Sequence, residues 1–236
     1  MVFANVALSL ILMSSVGVMQ IMTQGCNAAS IPARRALTTV EDGDASIRIV
    51  EIIECTPLAG ATGRLVMKNT PTDENSASAG SGSTLLPAEG VPLGLVNQQL
   101  VELSSSEDSQ EFFFTNCTSG FMNETPSGNV YFGHLVLASD SNPCLISTPG
   151  AETAQDITTE QCRISDDSGQ MLQFWKLTFS EDGTLPASLD FVGISTRVDS
   201  SLFYDTVFEG VEGNRVAKIL KSNDDAASYE INLVSN

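Results

Sequence analysis

The sequence predicts an all-β fold, and three observations carry that prediction. Apolar residues recur in short alternating runs, the runs end at Gly, Pro, Asn, Asp or Ser, and helical spacing is weak downstream of the amino-terminal segment. The runs also echo one another three times along the chain, as expected of units too small to bury their own apolar faces.

In order, the candidate strands are 47–55 (IRIVEIIEC), 64–68, 93–96, 99–103, 110–115, 129–138 and 144–147. They continue with 162–165 (CRIS), 171–179 (MLQFWKLTF), 189–195, 201–208, 215–221 and 229–234. No amphipathic helix separates them, which argues for a sandwich or barrel rather than a parallel α/β sheet. The stretch 69–84 (NTPTDENSASAGSGST) has only small apolar residues and reads as a long loop within the domain.

The repeats are specific. Gln110-x-Phe112-x-Phe114, Gln173-x-Trp175-x-Leu177 and Ala227-x-Tyr229-x-Ile231 each put an aromatic and a second apolar residue on one strand face. GRLVM at 63, GHLVL at 133 and SLDFV at 188 open three units in a similar way. Two short apolar runs lie between each opening and its aromatic strand, so each unit has four strands. Trp175 is the only tryptophan, and the pattern reads its ring, with Phe112 and Tyr229, as core.

The amino terminus has a different character. The first 29 residues carry no charged side chain, and the apolar run Val6–Met22 is followed by TQGCNAAS. This layout is that of a secretory signal peptide over 1–29, with cleavage near Ala28 or Ala29. Residues 30–46 then form a flexible leader, in which Arg34-Arg35 offers a dibasic processing site after Arg35 or is simply an exposed basic pair. A single domain is expected over 47–236.

Secretion leaves four cysteines, Cys55, Cys117, Cys144 and Cys162, an even number that reads as two disulfides. Metal binding competes poorly, because there is no C-x-x-C spacing and His134 is the only histidine. Asn116-Cys117-Thr118 and Asn123-Glu124-Thr125 are N-glycosylation sequons. The formal charge of −18 disfavours nucleic acid and anionic membrane surfaces as partners.

Three units that each close on a Q-x-W-like strand resemble the ricin-B-type (Q-x-W) β-trefoil lectin-like family, in the version common among secreted fungal proteins. The resemblance runs from about Ile47 to the carboxyl terminus and is best in the second unit, from GHLVLASDSNPCLIS to CRISDDSGQMLQFWKL. It implies a β-trefoil with pseudo-threefold symmetry, a Cys144–Cys162 disulfide within the second unit and a Cys55–Cys117 disulfide within the first. It also implies a carbohydrate ligand. In the second unit, however, the family's sugar-contacting aspartate, asparagine and aromatic are replaced by Ile146, Leu172 and Glu160. The third unit offers Phe203, Tyr204 and Asp205, a ring and a carboxylate, as the candidate ligand site.

Catalysis lacks its usual parts. Any Ser-His-Asp or Cys-His site would have to use His134, within what reads as a strand. Asp167-Ser168-Gly169 matches one aspartic-protease triplet, but the second carboxylate such enzymes need is missing, and a β-turn explains the triplet. The expectation is therefore a secreted, monomeric, non-catalytic binding protein without cofactor or metal, its partner an extracellular glycan or a protein. The alternatives are a protein-interaction factor, such as a protease inhibitor or host-interaction protein, and an atypical acid hydrolase using Asp167.

Overall fold

A computed structural model of the chain describes residues 36–40, 46–69, 89–148, 153–193, 203–222 and 229–236. The expected signal peptide, Arg34-Arg35, most of the expected 69–84 loop and Ala227 lie outside the described residues. The described part is all-β, with two short 3₁₀ turns at Ser106–Asp108 and Ser168–Leu172. No helix among these residues is long and apolar enough to cross a membrane.

Fifteen strands are described. β1 (Ala36–Val40) and β2 (Ser46–Val50) pair only with each other, so residues 36–40 of the expected leader form a strand. The remaining thirteen share one sheet. They are β3 (Glu54–Asn69), β4 (Val91–Val96), β5 (Gln99–Glu102), β6 (Phe112–Thr118), β7 (Val130–Leu137) and β8 (Cys144–Ile146). Then follow β9 (Gln155–Asp156), β10 (Thr158–Glu160), β11 (Trp175–Phe179), β12 (Ala187–Phe191), β13 (Phe203–Glu209), β14 (Val216–Ser222) and β15 (Tyr229–Val234).

Six of them close on themselves. β3 pairs with β6, β6 with β7, β7 with β11, β11 with β12, β12 with β15, and β15 returns to β3, every pair antiparallel. Closure removes the unpaired edges that an open sheet would present. Three two-strand pairs, β4–β5, β8–β10 and β13–β14, extend from this ring. They touch one another through Thr158↔Gln99 and Val216↔Val101.

The core repeats its register at three joints. Where β6 meets β7, Phe112 lies opposite Leu137 and Phe114 opposite Leu135. Where β11 meets β12, Trp175 lies opposite Phe191 and Leu177 opposite Leu189. Where β15 meets β3, Ile231 lies opposite Met67 and Leu233 opposite Leu65. All twelve residues belong to one apolar cluster, eleven of them as buried members and Leu137 partly buried against it. Cross-strand apolar pairs of this kind stabilise a sheet by up to about 1 kcal/mol each relative to alanine pairs.

This register refines two of the sequence echoes. Ile231, not Tyr229, stands in the position of Phe112 and Trp175; Tyr229 is partly buried and packs its ring on Phe208 at 5.5 Å. The third opening is Ala187, one residue ahead of SLDFV. A Cβ on Gly63 or Gly133 would come within 1.9 Å of a backbone carbonyl oxygen, of Val234 and Thr115 respectively, so both positions demand glycine.

Two predicted strands are displaced. CRIS (162–165) is not a strand; the ladder to β8 uses Thr158–Glu160 instead, and Ser165 makes only an isolated bridge to Ile52. Residues 171–174 belong to the second 3₁₀ turn and its exit rather than to β11. The cause is side-chain capping: Gln173 takes both backbone groups of Arg163, which removes them from any ladder.

Candidate functional site

The two glutamines of the Q-x-aromatic pattern are structural clamps. Gln173 Nε2 donates to the Arg163 carbonyl at 2.9 Å, and its Oε1 accepts the Arg163 N–H at 3.0 Å. Gln110 does the same to Leu95, accepting its N–H at 2.8 Å and donating to its carbonyl at 3.3 Å. Trp175 is fully buried, and its indole N–H donates to the Leu145 carbonyl at 3.0 Å. Ring and amide are both occupied, so this motif offers no free surface to a ligand.

Both disulfides form, Cys55–Cys117 and Cys144–Cys162. Between them sits His134, buried, its Nε2 2.8 Å from Gln170 Oε1 and its Nδ1 3.8 Å from Cys55 Sγ. The Gln170 amide nitrogen donates to the Arg163 and Ser165 carbonyls, which orients Oε1 toward the imidazole. An amide oxygen only accepts, so neutral His134 carries its proton on Nε2. Burial drives its pKa down to about 4, against a smaller upward pull from the Gln170 hydrogen bond. The sulfurs of each disulfide lie within 4.8 Å of an imidazole nitrogen. These sulfurs are bonded to each other, and a disulfide sulfur is not the thiolate that metal ligation uses.

The acidic turn residues have local roles. Asp167 caps the second 3₁₀ turn by accepting the Gly169 N–H at 2.8 Å. Asp166 accepts from the Ser119 hydroxyl and from the Gly120 and Phe121 N–H groups at 2.7 and 3.2 Å, holding that loop. Glu102 and Arg215 form a buried two-point ion pair, at 2.7 and 3.1 Å, that ties the end of β5 to the residue before β14. Burial pushes Glu102 up, yet the Arg215 and Gly213 donors outweigh it and hold the carboxyl below its ordinary range.

Within the Phe203, Tyr204 and Asp205 cluster, Tyr204 and Asp205 do not offer their ring and carboxylate on one face. Tyr204 turns its ring into the core, where it meets Phe191 edge to face at 5.5 Å. Asp205, the next residue along β13, is buried and engaged. Neighbours on a strand point to opposite faces, so these two cannot share one ligand. The side chain of Phe203 lies outside the described residues.

The sequons differ in setting. Asn116 is half-buried inside β6, opposite Thr56 on one side and Gly133 on the other. Asn123 is exposed in the loop before β7, with a left-handed backbone, φ 56°.

Two clefts remain. One, of about 510 Å³, is lined by Arg64, Glu89, Glu102, Ser104, Ser106 and Glu212 among others, and it has no aromatic residue. The other, of about 600 Å³, includes Leu58, Asn129, Tyr131, Phe179, Glu181 and Asp182. It sits where β7 begins and β11 ends, so its two rings come from paired strands. Tyr131 is half-buried and meets Phe179 edge to face, 5.9 Å between centroids. Asn129 Nδ2 donates to the Phe179 carbonyl, which fixes that corner. Glu181 and Asp182 are exposed on the β11–β12 turn. This combination was not visible in the sequence, because Tyr131 and Glu181 are fifty residues apart and no motif links them.

No protein-family model matches the chain, and no curated protein matches it.

Proposed function

We propose that the chain is a β-trefoil acting as a secreted, non-catalytic binding protein, with carbohydrate as its ligand. The closed ring of six strands, the three attached strand pairs and the triplicate core register support the trefoil reading. The signal-like amino terminus and the two disulfides support secretion. The single observation that carries the ligand class is the Tyr131 cleft. A half-buried ring, an apolar Leu58 and exposed carboxylates line one concavity, matching a sugar's apolar face and its hydroxyls.

The test is a glycan array probed with the mature protein and with Tyr131→Ala. A preferred sugar that is lost in Tyr131→Ala supports the reading. Uniform blanks with a well-folded protein overturn it, and stoichiometric inhibition in a protease panel would then favour a protein-interaction role.

A further inference from the structure

The residues lining the Tyr131 cleft include two carboxylates, Glu181 and Asp182, and no lysine, arginine or histidine. The chain as a whole is rich in acids, 29 against 11 lysines and arginines, but the 510 Å³ cleft contains Arg64 among its acidic neighbours. Of these two clefts among the described residues, the one with the rings lacks a cation. Asp182 is held in place as well as charged. Its Oδ1 accepts from the Ser180 hydroxyl at 2.7 Å and from the Thr184 hydroxyl and N–H at 2.8 and 3.1 Å. Those donors keep the carboxyl below its usual range. They also position the β11–β12 turn, so that Glu181 beside it projects from a fixed backbone.

A uronate or sialic acid would bring a carboxylate toward two others in this cleft, with no cation there to offset the repulsion. A neutral sugar would use the ring and leave the charges to water. An ammonium on the ring carbon beside the anomeric centre would gain both the carboxylates and the π face of Tyr131. We propose that the cleft selects saccharides bearing free amines, that is, de-N-acetylated hexosamine units, over their N-acetylated and acidic counterparts. This rests on the carbohydrate reading of the same cleft and adds the charge of the ligand to it.

Titration calorimetry of the whole chain with three oligomers of equal length tests it: glucosamine, N-acetylglucosamine and galacturonate. The glucosamine oligomer is expected to bind about tenfold more tightly than the acetylated one, with the advantage shrinking as salt rises. Glu181→Gln is expected to remove most of that advantage. Asp140→Asn, the same charge change in an exposed loop outside the cleft, is expected to leave it intact, which separates the cleft from the general attraction of an acidic chain for polycations. Equal affinity for the amine and acetyl forms, or equal loss in both variants, overturns the charge selection while leaving the carbohydrate reading standing. If none of the three oligomers binds and the glycan array is blank, the carbohydrate reading falls and takes this proposal with it.

Discussion

Gln173 grips Arg163 by both of its backbone groups, and Gln110 grips Leu95 in the same manner. Each glutamine lies two residues before a fully buried aromatic, Trp175 or Phe112. The clamp therefore pins an outlying segment to the start of a strand in the closed ring. Truncating Gln110 would take this partner from both backbone groups of Leu95, and truncating Gln173 would take it from the Arg163 N–H, whose carbonyl keeps Gln170. Gln173→Ala and Gln110→Ala are each expected to cost about 2 kcal/mol. Urea denaturation checks this. A loss under about 0.5 kcal/mol in both would mean that the clamps are incidental.

The His134 imidazole makes stability depend on pH. Its folded pKa of about 4 is below the ordinary value of 6.5, so between these values the unfolded chain binds more protons. The contribution is fully present above pH 6.5 and declines as pH falls through the window to 4. Its size is about 3 kcal/mol from the span of that window. Denaturation of the chain and of His134→Gln at several pH values is the check, and the slope between pH 6.5 and 4 should flatten in the variant. Equal slopes would show that the imidazole is not what titrates.

The two disulfides close loops of different length, with sequence separations of 62 for Cys55–Cys117 and 18 for Cys144–Cys162. The loop-entropy account predicts losses of about 4 and about 3 kcal/mol when each pair is replaced by alanine. Denaturation midpoints of the two double variants should fall in that order. The reverse order would point to packing around Val136 and Ile146 as the larger effect at Cys144.

Glycan occupancy should differ between the sequons. Asn123 is exposed, whereas Asn116 is enclosed between β3 and β7 beside the half-cystine Cys117. Peptide mass spectrometry of protein from a glycosylating host is expected to find sugar on Asn123 and little on Asn116. Full occupancy of Asn116 would contradict the packing of β6.

The Glu102–Arg215 pair offers a contrast between one lost partner and two. Glu102→Ala leaves a buried guanidinium uncompensated and is expected to cost about 3 kcal/mol. Replacing both residues with apolar groups of similar size should cost much less. Calorimetric unfolding of the single and double variants distinguishes these outcomes, and equal losses would show that the charge itself is unimportant.

Much of the fold could be read directly from residue order. Alternation, turn residues and the threefold echo fall within the chain's own neighbourhoods, and the cysteine pairs followed from the family resemblance those echoes suggested. Errors came where side chains replaced ladder partners. Arg163 is bonded to an amide side chain rather than a strand, so an apolar run around it imitated a strand. Tyr229 imitated Trp175 because spacing counts residues, whereas register is set by which residues face each other across β3 and β15.

The sequence by itself determined an all-β chain with repeating core positions, four paired cysteines and an acidic surface. Tertiary structure decided what those residues could reach. It enclosed Trp175 and turned Tyr204 inward. It buried His134 between two disulfides and brought Tyr131 and Phe179 beside Glu181. The physical reason is that alternation and spacing are local, whereas a cleft is made by the closure of a ring between distant strands, and only closure determines which rings and charges remain exposed to solvent.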